Sequence, residues 1–122
     1  MSFLNKLFKS DSSKIKWYKV FDSEADAQKN IAVNKAVTVQ IEELKICLAR
    51  TASGYHAVDD NCPHLGMSLS RGVCNSFDEV VCPWHAWRFD LKKGHETSGQ
   101  GTGSGVKVYK VEMRDTGLYI GV

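Results

Sequence analysis

Short alternating runs of hydrophobic and polar residues recur along the chain, and this period of two predicts β-strands. The clearest runs are residues 36–41 and 44–50, which are followed by a turn at 52–54 and a third strand at 55–58. Further strands are predicted at residues 16–21, 79–82, 87–90, 106–111 and 118–120. Many short strands are typical of an antiparallel β-sandwich or barrel, so the chain is predicted to be all-β.

A single short helix is predicted after the first strand, at residues 22–27. Ser23 is expected to cap it by accepting a hydrogen bond from the first-turn amides, and Glu24 and Asp26 favour the positive end of the helix dipole. This is the one helix predicted within residues 16–122, which are expected to form a single domain.

The first fifteen residues have a different pattern and are predicted to form an amphipathic and polar extension. Its apolar residues recur at helical spacing with two lysines opposite; they are Phe3, Leu4, Leu7 and Phe8, facing Lys6 and Lys9. A helix this short is marginal in water, because nucleation is costly and few hydrogen bonds follow it. The extension is expected to pack on its own domain or fray, and docking to a membrane or a partner is the alternative.

A chain of 122 residues with 43% hydrophobic and 25% charged residues has the composition of one globular domain. Its formal net charge of +2 comes without a dense basic stripe, which argues against nucleic acid as a partner. We find no apolar run long enough for an export signal or a transmembrane segment. The chain is therefore expected in the cytoplasm, where paired Cys and His residues more often hold a metal than form disulfides.

Glycine alternates with polar residues at 98–105, a pattern that could suggest a phosphate-binding loop. Such a loop needs a strand before it and a helix amino terminus after it to supply aligned amides, and here a β-rich segment follows. The segment is predicted to be a mobile loop rather than a nucleotide site.

Two short segments each combine a cysteine, a proline and a histidine. They read Cys-Pro-His at residues 62–64 and Cys-Pro-Trp-His at residues 82–85, and these two prolines are the only ones in the chain. Proline fixes its own φ and pushes the preceding residue toward extended geometry, which would pre-order each cysteine for ligation. Two such loops face to face would present two thiolates and two imidazoles to one metal centre.

Zinc and iron both accept this donor set. In structural zinc sites one segment of the chain usually supplies two cysteines and another supplies two histidines. Here each loop supplies one cysteine and one histidine. A two-iron centre can be built with Cys62 and Cys82 on one iron and His64 and His85 on the other. A zinc-stabilised binding module stays open as the alternative.

The paired motifs resemble those of the Rieske iron-sulfur family, with Cys-Pro-His-Leu-Gly at 62–66 and Cys-Pro-Trp-His-Ala-Trp-Arg-Phe-Asp at 82–90. The resemblance covers about residues 16–122 and implies a Rieske-type antiparallel β-sandwich or barrel with a small cluster-binding subdomain at about 60–92. The ligands that it implies for one 2Fe-2S cluster per chain are Cys62, His64, Cys82 and His85. Each histidine is expected to bind iron through Nδ1.

The resemblance also implies a function as a one-electron carrier, because a cluster with two histidine ligands works at about −150 to +300 mV. The first hypothesis is a ferredoxin-like protein that passes electrons from a reductase to a terminal oxygenase or other oxidoreductase. Its partners are expected to dock near His64 and His85. The alternative is a small subunit of an oxidoreductase complex, similar to that of a nitrite reductase. The chain lacks the catalytic iron domain of the family's oxygenases and is not expected to be an enzyme alone.

The potential is expected to be low for a Rieske centre. High-potential members of the family carry an extra cysteine in each loop and hydroxyl donors just after the second histidine. Met67 and Trp84 stand at the cysteine positions here, and Trp87 and Phe89 stand at the donor positions. Fewer hydrogen bonds to the sulfurs stabilise the reduced cluster less. Two other departures are Ala86, where the family commonly has glycine, and the absence of a proline-containing loop over the cluster.

The other two cysteines and two histidines are interpreted as structural residues. Cys47 lies within a predicted strand and Cys74 near a turn, and neither His56 nor His95 belongs to a paired motif. The sequence identifies no Ser-His-Asp arrangement and no carboxylate pair for hydrolysis.

Overall fold

The structure, a computed structural model, describes residues 15–64, 66–100 and 103–122. In chain order the elements are β1 (Trp17–Phe21), α1 (Glu24–Asn30), β2 (Lys35–Ile41), β3 (Leu44–Thr51), β4 (Gly54–Asp59), a 3-10 helix (Leu69–Arg71), β5 (Val73–Cys74), β6 (Glu79–Val81), β7 (Arg88–Asp90), β8 (Val108–Arg114) and β9 (Gly117–Gly121). The predicted extension at 1–15 lies almost wholly outside the described residues and stays a prediction.

The strands form two antiparallel sheets. Six strands are hydrogen-bonded in the order β1-β9-β8-β4-β3-β2, and three short strands form a second sheet in the order β5-β6-β7. Strand β8 starts two residues later than predicted, since the Val106 amide donates to the Gly94 carbonyl of the preceding turn. The predicted all-β antiparallel fold with one short α-helix is confirmed for the described residues.

Strand β3 is buried on both faces because it lies between two hydrophobic cores. Successive side chains of a strand point to opposite faces. Cys47 and Ala49 therefore pack into one core, and Ile46 and Leu48 pack into the other. The first core also contains Phe89 of β7, so it attaches the small sheet to the large one.

Helix α1 begins directly after Ser23, whose Oγ accepts the predicted hydrogen bond from Asp26 N at 3.1 Å. The helix continues to Asn30, and the predicted end at residue 27 was wrong. The extra turn is polar, but it places Ala27 and Ile31 on one buried face, where Ile31 N donates to Ala27 O at 2.9 Å. Neither α1 nor the 3-10 helix has the length and apolar composition to cross a lipid bilayer.

Two short elements were not predicted, namely the 3-10 helix and strand β5 of the small sheet. They contain three and two residues, which is too short for a periodic signal. Tertiary hydrogen bonds fix both of them. Cys74 N donates to Asn34 O at 2.9 Å, and Leu69 N donates to Asp60 O at 2.7 Å.

The described start of the glycine-rich loop is held by the Glu96 carboxylate. It accepts hydrogen bonds from the amides of Ser98 at 2.7 Å, Gly99 at 3.1 Å and Gln100 at 3.2 Å. The hydroxyl of Ser98 also donates to it. One side chain therefore orders the beginning of a segment that the sequence alone predicts to be mobile.

A polar cluster fastens the β3-β4 turn to the start of the small sheet. Nε2 of His56 lies 3.0 Å from Ser53 Oγ, which donates to Asp78 Oδ1 at 2.9 Å. Lys92 Nζ lies 3.3 Å from the other oxygen of Asp78. Burial lowers the pKa of His56; the charges of Asp78 and Asp90 raise it, and that of Lys92 lowers it.

Acidification is expected to destabilise the fold through His56. Its pKa in the folded state lies below 6.5, so the unfolded chain binds the proton more readily and stability is lost as the pH falls through 6.5. One proton limits this loss to about 1.4 kcal/mol per pH unit. Urea unfolding from about pH 8 to about pH 5 should show a flatter dependence in His56→Gln than in the wild type. Parallel curves for the two proteins would contradict this assignment.

Candidate metal centre

The first motif loop, residues 61–67, leaves β4 and returns toward the 3-10 helix. Cys62 N donates to Met67 O at 2.9 Å, and Gly66 N donates to Cys62 O at 2.7 Å, so the two ends of the loop are tied together. Gly66 has a φ of 71°, in the left-handed region that glycine adopts at low cost. Within this loop Cys62 is fully buried, whereas His64 is partly exposed.

The second motif loop, residues 82–87, connects β6 to β7. It is closed by a hydrogen bond from Cys82 N to Trp87 O at 2.7 Å. His85 and Ala86 follow each other in the left-handed region, with φ values of 68° and 58°. This turn leaves Cys82 buried in the first core and His85 exposed.

Ala86→Gly is expected to stabilise the protein by about 1 kcal/mol, because a residue with a Cβ pays roughly that cost in the left-handed region. Ala86 is exposed, so loss of its methyl group removes little packing. Urea unfolding of the cluster-containing protein measures the effect. The control is Ala25→Gly at an exposed position in the first turn of α1, where glycine should destabilise by up to about 1 kcal/mol. Destabilisation by both changes would show that residue 86 is not strained.

The two loops face each other and pair the motif side chains by type. The rings of His64 and His85 have centroids 5.1 Å apart. Burial raises the pKa of the Cys82 thiol, a hydrogen bond with the Trp84 backbone lowers it, and the neighbouring Cys62 thiol raises it. The cysteine pair thus lies inside the protein, and the histidine pair lies nearer the surface.

This arrangement fits a binuclear iron centre. Nδ1 of His64 is buried without a hydrogen-bond partner among the described residues, and such an atom normally has one. A metal ion would satisfy its lone pair and would offset the repulsion between two adjacent thiolates. In the described part of the chain, no three His, Cys, Asp or Glu side chains are placed to hold one metal ion. A 2Fe-2S cluster asks for only two protein ligands on each iron, since sulfides complete the coordination.

Two tryptophans flank the histidine pair. The Trp87 ring stacks on His64, with centroids 4.1 Å apart and planes 4° from parallel. Trp84 lies 5.8 Å from His85 and is 48% exposed. The sequence did not indicate the stack, because it joins side chains from different loops.

Residues 16–110 match the model of the Rieske [2Fe-2S] domain family. The chain belongs to this family. The cofactor of the family is a 2Fe-2S cluster, so the predicted resemblance and the predicted cofactor are both confirmed.

Relatives of this Rieske domain include a dioxygenase ferredoxin subunit. The ferredoxin subunit of 3-phenylpropionate/cinnamic acid dioxygenase from Photorhabdus laumondii is 35% identical over 68 residues, which are 56% of this chain and 64% of the relative. The chain spans only 12% to 43% of the length of several other curated relatives.

Two solved structures share the Rieske fold at low sequence identity. The ferredoxin of carbazole 1,9a-dioxygenase from Nocardioides aromaticivorans has a TM-score of 0.68 at 22% identity, over 75% of this chain and 88% of its own. A protein assigned as the small subunit of an NADH-dependent nitrite reductase from Mycobacterium tuberculosis has a TM-score of 0.74 at 20% identity, over 88% and 96%.

The two remaining cysteines of the Rieske domain lie in the same core as Cys62 and Cys82. Burial is the main cause that raises the pKa of Cys47 on β3 well above its usual value and that of Cys74 on β5 to about 11. Burial raises the pKa of the candidate ligand Cys82 as well, so these pKa values do not separate the two pairs of cysteines. Cys47 and Cys74 lie on strands outside both motif loops, and this position supports the interpretation of both residues as structural.

The Rieske domain also brings Ser53, His56 and Asp78 together, which the sequence did not reveal because they lie on two turns and a strand. Nε2 of His56 faces Ser53 at 3.0 Å and also lies 4.0 Å from Asp78 Oδ1. In a hydrolase triad the carboxylate binds the other ring nitrogen. The cluster therefore has the geometry of a structural contact between turn and sheet.

Proposed function

We propose that this Rieske domain is a one-electron carrier whose electrons enter and leave through the histidine edge of the site. The observation that carries the proposal is the difference in burial between the two ends of the site. Both cysteines are buried, whereas His85 is exposed and His64 is partly exposed. When bound, the 2Fe-2S cluster takes up and releases single electrons. The exposed imidazole edge is the part of the site that a partner can approach most closely.

The proposed ligands are Cys62 and Cys82 for one iron and His64 and His85 for the other. The unpartnered Nδ1 of His64 supports this assignment. The stack of Trp87 on His64 fixes the plane of that imidazole and excludes water from one face of it. The folded unit that holds the site is proposed to span 16–122.

A low potential for a Rieske centre is part of the proposal. Trp87 and Phe89 supply no hydroxyl group beyond the second histidine, and Phe89 is fully buried. Met67 and Trp84 stand where high-potential members carry their extra cysteines, so the disulfide of those members cannot form here. With fewer hydrogen bonds to the sulfurs, the added electron is stabilised less.

The proposed donor is a reductase and the proposed acceptor is a terminal oxygenase or other oxidoreductase, all in the cytoplasm. A fixed small subunit of a larger complex is the second candidate, because the nitrite reductase small subunit fold covers 88% of this chain. A purified protein that stays monomeric and accepts electrons from a ferredoxin reductase would favour the first. Constant co-purification with a large subunit would favour the second.

Iron, acid-labile sulfide and zinc measured on protein purified without oxygen test the electron-carrier function. Two irons and two sulfides per chain are expected. One zinc without sulfide would instead indicate a zinc-stabilised binding module. Protein-film voltammetry then gives the midpoint potential, and a value near the top of the range of about −150 to +300 mV would contradict the low-potential assignment.

A further inference from the structure

A pocket of about 310 Å³ opens beside the first motif loop. Its lining residues are Thr38, Lys45, Asp60, Asn61, Gly66, Ser68 and Arg71. Asn61 and Gly66 stand on either side of the Cys-Pro-His motif. An occupant of the pocket would therefore rest against the loop that carries His64.

The lining carries two cations that the protein itself does not neutralise. Lys45 and Arg71 are exposed, and within the described residues neither side chain forms an ion pair or a hydrogen bond. Arg88 and Lys92, by contrast, are paired, with Glu79 at 3.4 Å and with Asp78 at 3.3 Å. The pocket is thus a local excess of positive charge on a chain of small net charge.

The one acidic residue of the lining is already satisfied by the protein. Asp60 is 4% exposed, and its carboxylate accepts hydrogen bonds from the Ser68 hydroxyl and from Ser70 N, the latter at 2.8 Å. Ser70 Oγ lies 2.5 Å from Thr38 Oγ1. These bonds hold the floor of the pocket in place and leave the two exposed cations to face an incoming group.

We propose that this pocket receives a carboxylate side chain, Asp or Glu, of the redox partner. The inference rests on the proposed function and names the chemistry of the partner surface. An ammonium and a guanidinium together match a carboxylate, the guanidinium through paired N–H donors. The Asn61 amide can add a further donor. An acidic residue seated there would hold the partner against the histidine edge, and such charge pairing speeds encounter and fixes orientation.

Electron transfer to small oxidants of opposite charge tests the proposal without a known partner. The reduced protein passes one electron to ferricyanide, a trianion that becomes ferrocyanide, or to hexaammineruthenium(III), a trication that becomes the dication. Stopped-flow rate constants are measured at about 10 mM and about 150 mM ionic strength, where charges are weakly and strongly screened. The variants are Lys45→Gln and Arg71→Gln. The matched controls are Lys29→Gln on α1 and Lys93→Gln in the turn that follows β7. The second motif loop precedes β7, so Lys93 lies at the opposite end of this strand.

Each pocket variant is expected to lower the low-salt rate constant with ferricyanide about threefold to tenfold. The two controls, which carry the same charge change, should lower it less than about twofold, and no variant should slow hexaammineruthenium(III). Equal losses in pocket and control variants would overturn the proposal, because net charge alone would then govern the rate. A protein with an intact cluster that reduces neither oxidant would overturn the electron-carrier function itself.

Competition identifies the source of the carboxylate. A hexaglutamate peptide should slow the reaction of the wild type with ferricyanide and have little effect on the Lys45→Gln Arg71→Gln double variant. Acetate or phosphate at the same total anionic charge should slow the wild type much less. Inhibition by these free anions equal to that by the peptide would assign the pocket to small anions and overturn its role in protein docking.

Discussion

Cys62→Ala and Cys82→Ala are each expected to yield a protein without a 2Fe-2S cluster. Each change removes one of two thiolates that lie together in the first core, and the remaining thiolate cannot complete the coordination of its iron. Iron and acid-labile sulfide per chain, together with the visible absorbance of the purified protein, measure the loss.

Cys47→Ala and Cys74→Ala are the matched controls, because they remove buried thiols from the same core. Both should keep the full iron and sulfide content and lose only about 1 kcal/mol of unfolding free energy from the small cavity. Loss of the cluster in a control variant that remains folded would show that the ligand assignment is wrong.

His64→Cys is expected to lower the midpoint potential by roughly 100 to 300 mV while keeping the cluster. A neutral imidazole is replaced by a thiolate, so the oxidised centre gains a negative charge and an added electron meets more repulsion. Plant-type clusters with four cysteine ligands have potentials of about −400 mV. Replacement of both histidine ligands by cysteine would bring the potential toward that value. Protein-film voltammetry measures the shift, and electron paramagnetic resonance of the reduced protein reports the change of ligand.

His95→Cys provides the comparison, since His95 is exposed and lies outside both motif loops. Its potential should match that of the wild type. An unchanged potential in His64→Cys, with iron and sulfide intact, would remove His64 from the ligand set. The same shift in both variants would mean that the potential responds only to an added thiol.

The candidate ligands could be predicted from sequence because each loop is local. The cysteine, its proline and its histidine lie within four residues, and their chemistry does not depend on distant contacts. The strands with a clear period of two, β2 and β3, were predictable for the same reason. The left-handed turn at Ala86 was partly visible, because the family that the chain resembles commonly has glycine at this position.

Features that depend on tertiary contacts could not be predicted. Trp87 stacks on a histidine that is 23 positions earlier, and no local pattern encodes that contact. Strand β5 is held by a hydrogen bond from the Cys74 amide to the Asn34 carbonyl. The hydrogen bond from Ser53 to Asp78 likewise forms only after both sheets have formed. The unpaired charge of Lys45 and Arg71 is likewise visible only once their neighbours in space are known.

The small sheet has strands of only two and three residues, so it cannot persist without outside support. Ligation of iron by both motif loops would cross-link it to the end of β4. Release of iron removes that cross-link, and the amides of β6 and β7 should then exchange with deuterium well before those of β3 and β4. The metal-free protein would then keep its folded six-stranded sheet, while the small sheet beside it would open more often. Proteases could therefore remove molecules that have lost their iron and spare those that keep it.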